Sequence, residues 1–222
     1  MSATQALLDA ITANDSDRAR TLIEQDPAAA TGVGTNGDSP LLAAVYRGQT
    51  EIADLVARHR ELSLPEAAAL GDARTAKTIL ARDPGAINQR SNDGWTALHL
   101  AGFMGHADVA RVLLDHGADI EAVSQNSIAN RPLHAAIAGK AATDVIELLL
   151  ERGADVTARV ELGITALHLS AARGNMAITR RLLELGADPA ARMTDGKLPA
   201  SYAAERGHPE VAALLEQLTA GR

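Results

Sequence analysis

In the stretch "DGWTALHLAGFMGHADVARVLLDHGADIEA" the apolar residues Val109, Val112, Leu113 and Leu114 return at three-and-four spacing, which puts them on one face of a helix beginning near Asp108. A shorter run from Ala97 to Met104 predicts a first helix. Thr96 stands where an N-cap hydroxyl would meet a free helix amide, and Gly105 suits the left-handed conformation that ends a helix. Gly117 closes the second helix, with His116 beside its negative end, and Asp93-Gly94 supplies turn chemistry ahead of the pair. Neither helix is long enough to stand alone, so such a unit must bury its apolar face against another like it.

The chain supplies the others. Leu98-His99 returns as Leu133-His134 and Leu167-His168, 35 and 34 residues apart, and each pair is followed about nineteen positions later by Gly-Ala-Asp, starting at Gly117, Gly153 and Gly186. The register extends downstream to Ala200 and upstream, in weaker copies, to Leu64, Leu41 and Leu7. Seven units result, at approximately 1–35, 36–60, 61–92, 93–125, 126–160, 161–193 and 194–222, with the polar first and last units as caps. No linker separates them, which predicts a single domain over 1–222. "ARTLIEQDPAAAT" and "AKTILARDPGAIN" also match at an offset of 57, as if a pair of units had been duplicated.

The pattern resembles the ankyrin repeat, whose period is about 33 residues and whose signature is Thr-Pro-Leu-His-x-Ala in a turn followed by two helices. It stands here as "WTALHLA", "RPLHAAI" and "ITALHLSA". The resemblance implies an all-α fold, an ankyrin-repeat solenoid of stacked helix-turn-helix units with projecting β-turns. It also implies a non-catalytic protein-interaction module.

Departures from the repeat carry expectations of their own. Leu41 to Leu64 spans only 23 residues, so the third unit lacks its projecting turn, and Ser63-Leu64-Pro65-Glu66 reads as a capping box that starts the next helix directly. In the fifth unit Ala129 replaces the turn Gly, Lys140 replaces the helix-ending Gly, and extra residues lie near Ala141-Ala142, which predicts an irregular turn and loop. The Asn usual in the family after Gly-Ala-Asp-Val is Glu121, Thr157 and Ala190 here, with Asn88 its one survivor, which implies fewer turn-stabilising hydrogen bonds.

Composition narrows the picture. Aromatic residues make up 2% of the chain, so its core must be built from Ala, Leu, Ile and Val, which suits closely packed helices. A net charge of −7 without a dense basic run argues against nucleic acid as a partner. The absence of Cys removes disulfides, thiolate catalysis and cysteine-based zinc sites, and fits a reducing compartment. With neither a signal peptide nor a membrane-spanning run in the sequence, the expectation is a cytoplasmic monomer that does not engage membranes.

The seven histidines invite a metal hypothesis. His99, His134 and His168 occupy equivalent positions, however, and equivalent atoms of stacked helices lie roughly 8 to 10 Å apart, too far to share one ion. By resemblance these histidines hydrogen-bond backbone groups in the turns, and no metal, cofactor or catalytic residue is expected. Nucleophile elbows, zinc-protease motifs and phosphate loops are also missing from the sequence, so an enzyme is not expected. Two alternatives remain at this point: a scaffold that self-associates, and a metal-dependent activity using the histidines.

In the ankyrin architecture the projecting turns and the exposed side of the first helices line a groove, and residues just before the helix-ending Gly face it. By that resemblance Tyr46, Arg47, Leu70, Phe103, Met104, Arg173 and Arg206 face the groove, together with Trp95 and Ile164 after the turn glycines. Three of the four aromatic residues fall on this surface, and aromatic and Arg side chains are the usual anchors of interfaces. Arg192, with Arg159, adds charge toward the C-terminal end, although both also suit solvated turn positions. A protein or peptide offering an apolar anchor followed by acidic groups would fit.

Overall fold

The computed structural model describes residues 2–140 and 142–220, so Ala141, at the expected insertion, lies outside the described residues. Among the described residues the regular structure is helical, apart from two isolated antiparallel bridges, Arg90 with Thr96 and Arg159 with Thr165. The contacts divide the chain into two compact units, Met1–Ala97 and Leu98–Arg222.

The first unit holds α1 (Ala3–Thr12), α2 (Ser16–Gln25), α3 (Ala28–Thr31), α4 (Pro40–Tyr46), α5 (Thr50–Ala57), α6 (Leu64–Leu70) and α7 (Ala73–Arg82). α1 packs on α2 and α4, α4 on α5 and α6, and α6 on α7, as stacked pairs require. Leu7, Ile11, Ile23, Leu41, Ile52, Leu64 and Leu80 are fully buried. Each contributes about 1.5–3 kcal/mol, which lets an aliphatic core form without aromatic side chains. Polar caps set the starts: Asp15, Ser39 and Asp72 each accept from a backbone N–H in the first turn of the helix they precede. The matching segments at offset 57 fold alike, with Asp26 accepting from the Ala28 N–H and Asp83 from the Gly85 N–H, both at 3.0 Å.

The capping box expected at Ser63 is present, and α6 ends on Gly71 with φ +78°. Glu66 is buried within it and accepts from the Ser63 amide at 3.0 Å and the Ser39 hydroxyl at 2.6 Å, while Arg60 pairs with it at 3.2 Å. Its carboxylate ties the shortened unit to the cap of α4.

α8 (Ala97–Met104) starts on the last residue of the first unit. The second unit continues with α9 (Ala107–Asp115), α10 (Pro132–Ala138), α11 (Thr143–Glu151), α12 (Ala166–Ala172), α13 (Met176–Glu184), α14 (Pro199–Glu205) and α15 (Pro209–Ala220). α10 packs on α12, α12 on α14, and α9 on α11. Gly105 and Gly117 have φ +83° and +81°, and the His116 Nδ1 lies 2.7 Å from the Val112 carbonyl, as the sequence led us to expect. In the fifth unit Ala129 adopts the left-handed φ of +48° that glycine would take, and α10 ends on Gly139 at φ −78° and ψ −136°. A Cβ at Gly139 would fall 2.1 Å from the Phe103 carbonyl oxygen, so backbone contact with the preceding unit fixes that glycine.

Where the family's Asn is missing, the turns keep hydrogen bonds of their own. The Asp of each Gly-Ala-Asp accepts from the amide two residues on, giving Asp119 to Glu121 at 2.9 Å, Asp155 to Thr157 at 2.9 Å and Asp188 to Ala190 at 3.0 Å. Glu121 also accepts from the Asp155 amide at 2.8 Å and pairs with Arg131.

Candidate functional site

The Leu-His histidines act in the scaffold. His99 Nε2 donates to the Asn130 carbonyl at 2.9 Å. His168 Nδ1 accepts from the Thr165 hydroxyl at 2.8 Å while its Nε2 donates to the Lys197 carbonyl at 3.4 Å, so the ring is neutral and joins neighbouring turns. Burial lowers its pKa, with the Lys197 carbonyl opposing. His134 differs: it is fully buried, yet among the described residues neither ring nitrogen meets a hydrogen-bond partner. The cap residue in its unit is Arg131 rather than Thr, so the hydroxyl that serves His168 is missing. Burial pushes the His134 imidazole down to about 4, and the nearby Ala158 backbone offsets only part of this. Among the described residues, no group of three or more His, Asp or Glu side chains is placed to hold a metal ion.

Two clefts collect the residues that stand before helix-ending glycines. In the first unit a cleft of about 320 Å³ is lined by Leu8 and Asp9 of α1, by Tyr46 and Arg47 at the end of α4, and by Asp38 and Asp93 from two turns. Tyr46 is 40% exposed, and its hydroxyl donates to Asp93 at 2.6 Å. Burial of that hydroxyl and the Asp93 carboxylate together raise the phenol's pKa well above its usual value. In the second unit a cleft of about 370 Å³ is lined by Ala138, Leu169, Ala172, Arg173, Tyr202 and Arg206, at the ends of α10, α12 and α14. Arg173 donates to the Ala138 and Gly139 carbonyls, and the Arg206 guanidinium lies 5.4 Å from the centre of the Tyr202 ring.

The remaining expected groove residues lie elsewhere. Trp95 is 8% exposed and Met104 5%, so neither presents the surface an anchor needs. Phe103 and Ile164 are half-buried and line neither cleft. Leu70 lines a different cleft of about 660 Å³ between α5 and α7, where the third unit lacks its projecting turn. Arg192 braces its own turn, donating to the Gly196 carbonyl at 3.1 Å, while Arg159 donates to the Arg192 carbonyl at 2.8 Å. Tyr202 was missed by the sequence reasoning. Its position four residues before Arg206, on one helix face, was the available signal.

No described helix is long and apolar enough to cross a membrane. A family profile described as "Ankyrin repeats (3 copies)" matches residues 64–160 and 158–220. The chain is similar to the B-cell lymphoma 3 protein homolog of Mus musculus, 33% identical over 148 residues, which cover 67% of this chain and 30% of that protein. It is 38% identical over 77 residues to BCL-6 corepressor-like protein 1 of Homo sapiens, covering 35% of this chain and 4% of that one. With the NF-kappa-B inhibitor cactus of Drosophila yakuba it shares 41% identity over 68 residues, 31% of this chain and 14% of that one. The matches thus span less than a third of each relative's length. With a helix pair in every repeat, histidines joining successive turns and a profile matched over more than half its length, the chain belongs to the ankyrin-repeat family.

Proposed function

We propose that the chain is a non-catalytic protein-interaction module that holds a partner protein or peptide along the ends of its first helices. It works as a monomer in the cytoplasm, without cofactor, and residues 1–222 serve as one repeat domain. The observation that carries this reading is the pairing of equivalent positions. Tyr46 and Arg47 in one unit, and Arg173 and Arg206 in the other, stand before helix-ending glycines, are exposed, and line clefts. The scaffold residues that recur beside them, such as Leu41, Leu167 and His168, are buried. Exposed aromatic and Arg side chains over an aliphatic stack are the composition of an interface rather than of a catalytic centre. Membership of a family that includes a named inhibitor of another protein supports the same class of function.

The test is affinity capture from native lysate with the wild-type chain and with Tyr46→Ala and Arg173→Ala baits, each checked for retained helicity. A protein retained by the wild type and lost from a folded variant is the expected result. Capture that is indifferent to both substitutions overturns the reading, and concentration-dependent sedimentation of the free chain would replace it with self-association.

A further inference from the structure

We propose that the cleft at the ends of α10, α12 and α14 recognises carboxylates. Its occupant is an extended acidic segment of a partner protein, with two Asp or Glu side chains about three residues apart. This rests on the reading of the chain as an interaction module and adds the chemistry of what one face accepts.

The argument begins with charge. The whole chain carries −7, yet the cleft is lined by two guanidiniums and no carboxylate. Glu205, next to Arg206 in sequence, is held by Lys197 at 2.8 Å. Among the described residues neither Arg173 nor Arg206 forms an ion pair, whereas Arg60, Arg131, Arg152 and Arg181 all do. Both guanidiniums are also positioned in advance: Arg173 by the two carbonyls at the end of α10, and Arg206 by the Tyr202 ring. Arg206 keeps a planar fork that matches a carboxylate, while Arg173, whose Nη2 serves the two carbonyls, keeps its Nε and Nη1 donors and its charge, and pre-positioning lowers the entropy cost of using them.

Spacing supplies the second half. Arg173 and Arg206 occupy equivalent positions 33 residues apart, on helices packed directly against each other, so their attachment points are separated by roughly the 8–10 Å of helix packing. A segment in the polyproline II conformation rises about 3.1 Å per residue and returns to the same face every third residue, so acidic side chains three residues apart reach both guanidiniums. Leu169 and Tyr202 between them offer an apolar floor for an intervening side chain. A polyanion such as a nucleic-acid backbone is the poorer fit, because the net negative charge of the chain repels a long row of phosphates while two discrete guanidiniums suit two discrete carboxylates.

Fluorescence polarisation with dye-labelled octapeptides tests this. The peptides carry two Glu residues at separations of one to five on an Ala, Leu and Ser background, with the matching Gln peptides as controls. Tightest binding is expected at a separation of three. Arg173→Gln and Arg206→Gln should each weaken it about tenfold, Arg180→Gln on α13 should change it less than about twofold, and raising the salt should weaken it further. Equal binding of the Gln peptides, unchanged binding to the cleft variants, or no binding in the millimolar range overturns the proposal. If the peptides fail while capture from lysate still depends on Tyr46 and Arg173, the carboxylate assignment falls and the interaction-module reading stands. Capture indifferent to both substitutions removes that reading instead.

Discussion

The Asn92 side-chain amide donates to the Asn36 carbonyl at 2.7 Å, across 56 residues of sequence. It joins the turn of the second repeat to the turn of the fourth, because the third repeat has none. A second link lies beside it, from the Tyr46 hydroxyl to Asp93. The deletion between Leu41 and Leu64 is thus closed over by direct contact between turns that would otherwise be separated by a third. Asn92→Ala and Tyr46→Phe should each lower the stability of the first unit by about 1 kcal/mol, read from the midpoint of urea unfolding. The double variant should lose less than the sum if the two links brace the same pair of turns. Unchanged midpoints would mean that the turns hold their places without these bonds.

Trp95 leads to a prediction opposite in kind to the one its position in the sequence invited. As an exposed anchor it would be dispensable for folding, but at 8% exposure it belongs to the core. Trp95→Ala should cost about 3 kcal/mol or more, since truncating a buried aromatic leaves a cavity. Trp95 is the only Trp in the chain, so unfolding has to be followed by circular dichroism rather than by intrinsic fluorescence. A variant as stable as the wild type would return Trp95 to the surface.

These two cases show what was legible in the sequence and what was not. Period, caps and helix-ending glycines are local, so Ser63, Glu66, Gly105 and Gly117 were readable from neighbouring residues. Tyr46, Arg47, Arg173 and Arg206 were readable too, because helix-ending glycines fix the register of the residues before them. Trp95 was not. It precedes Thr96, which bridges to Arg90, and in extended backbone each step of one residue turns a side chain to the other face. Phe103 and Met104 differ for a related reason, since adjacent positions on a helix point about 100° apart, which here leaves Phe103 half-buried and turns Met104 into the core. The Asn92–Asn36 contact depended on a missing turn elsewhere, which no local pattern encodes.

His134 makes stability depend on pH. Unfolded, its imidazole takes up a proton near 6.5, and folded only near 4. Between those values the unfolded chain binds more protons, so stability present above pH 6.5 is lost as the pH falls, and the loss is complete below about 4. The loss from this residue is on the order of 3 kcal/mol. His168, shifted in the same direction, adds to it. Unfolding midpoints measured across this range should fall steadily in the wild type and less in His134→Leu. At neutral pH His134→Leu should be nearly neutral or stabilising, because it removes two unpaired polar atoms from the core, whereas His168→Leu should cost 1 kcal/mol or more by leaving Thr165 and the Lys197 carbonyl without their partner. A flat midpoint in both proteins would mean that His134 gains its proton while folded.

Leu162 is the residue whose replacement should improve the fold. It sits in the turn of the sixth repeat with φ +60°, a left-handed conformation that a leucine enters at a cost of roughly 1–2 kcal/mol, and its side chain is 56% exposed, so little burial offsets the strain. The Leu162 carbonyl accepts from the Thr194 amide at 2.9 Å, so the neighbouring turn holds it in place. Asn tolerates this conformation and keeps the carbonyl, while Gly tolerates it better but loosens the unfolded chain. Leu162→Asn should therefore raise stability by about 1 kcal/mol, Leu162→Gly should gain less, and Leu162→Val should lose stability, because β-branching is disfavoured at positive φ. The ordering of the three midpoints is the measurement. If Asn and Gly both destabilise, the exposed leucine is contributing contacts that outweigh its backbone strain, and the turn is held by its side chain rather than by the Thr194 hydrogen bond.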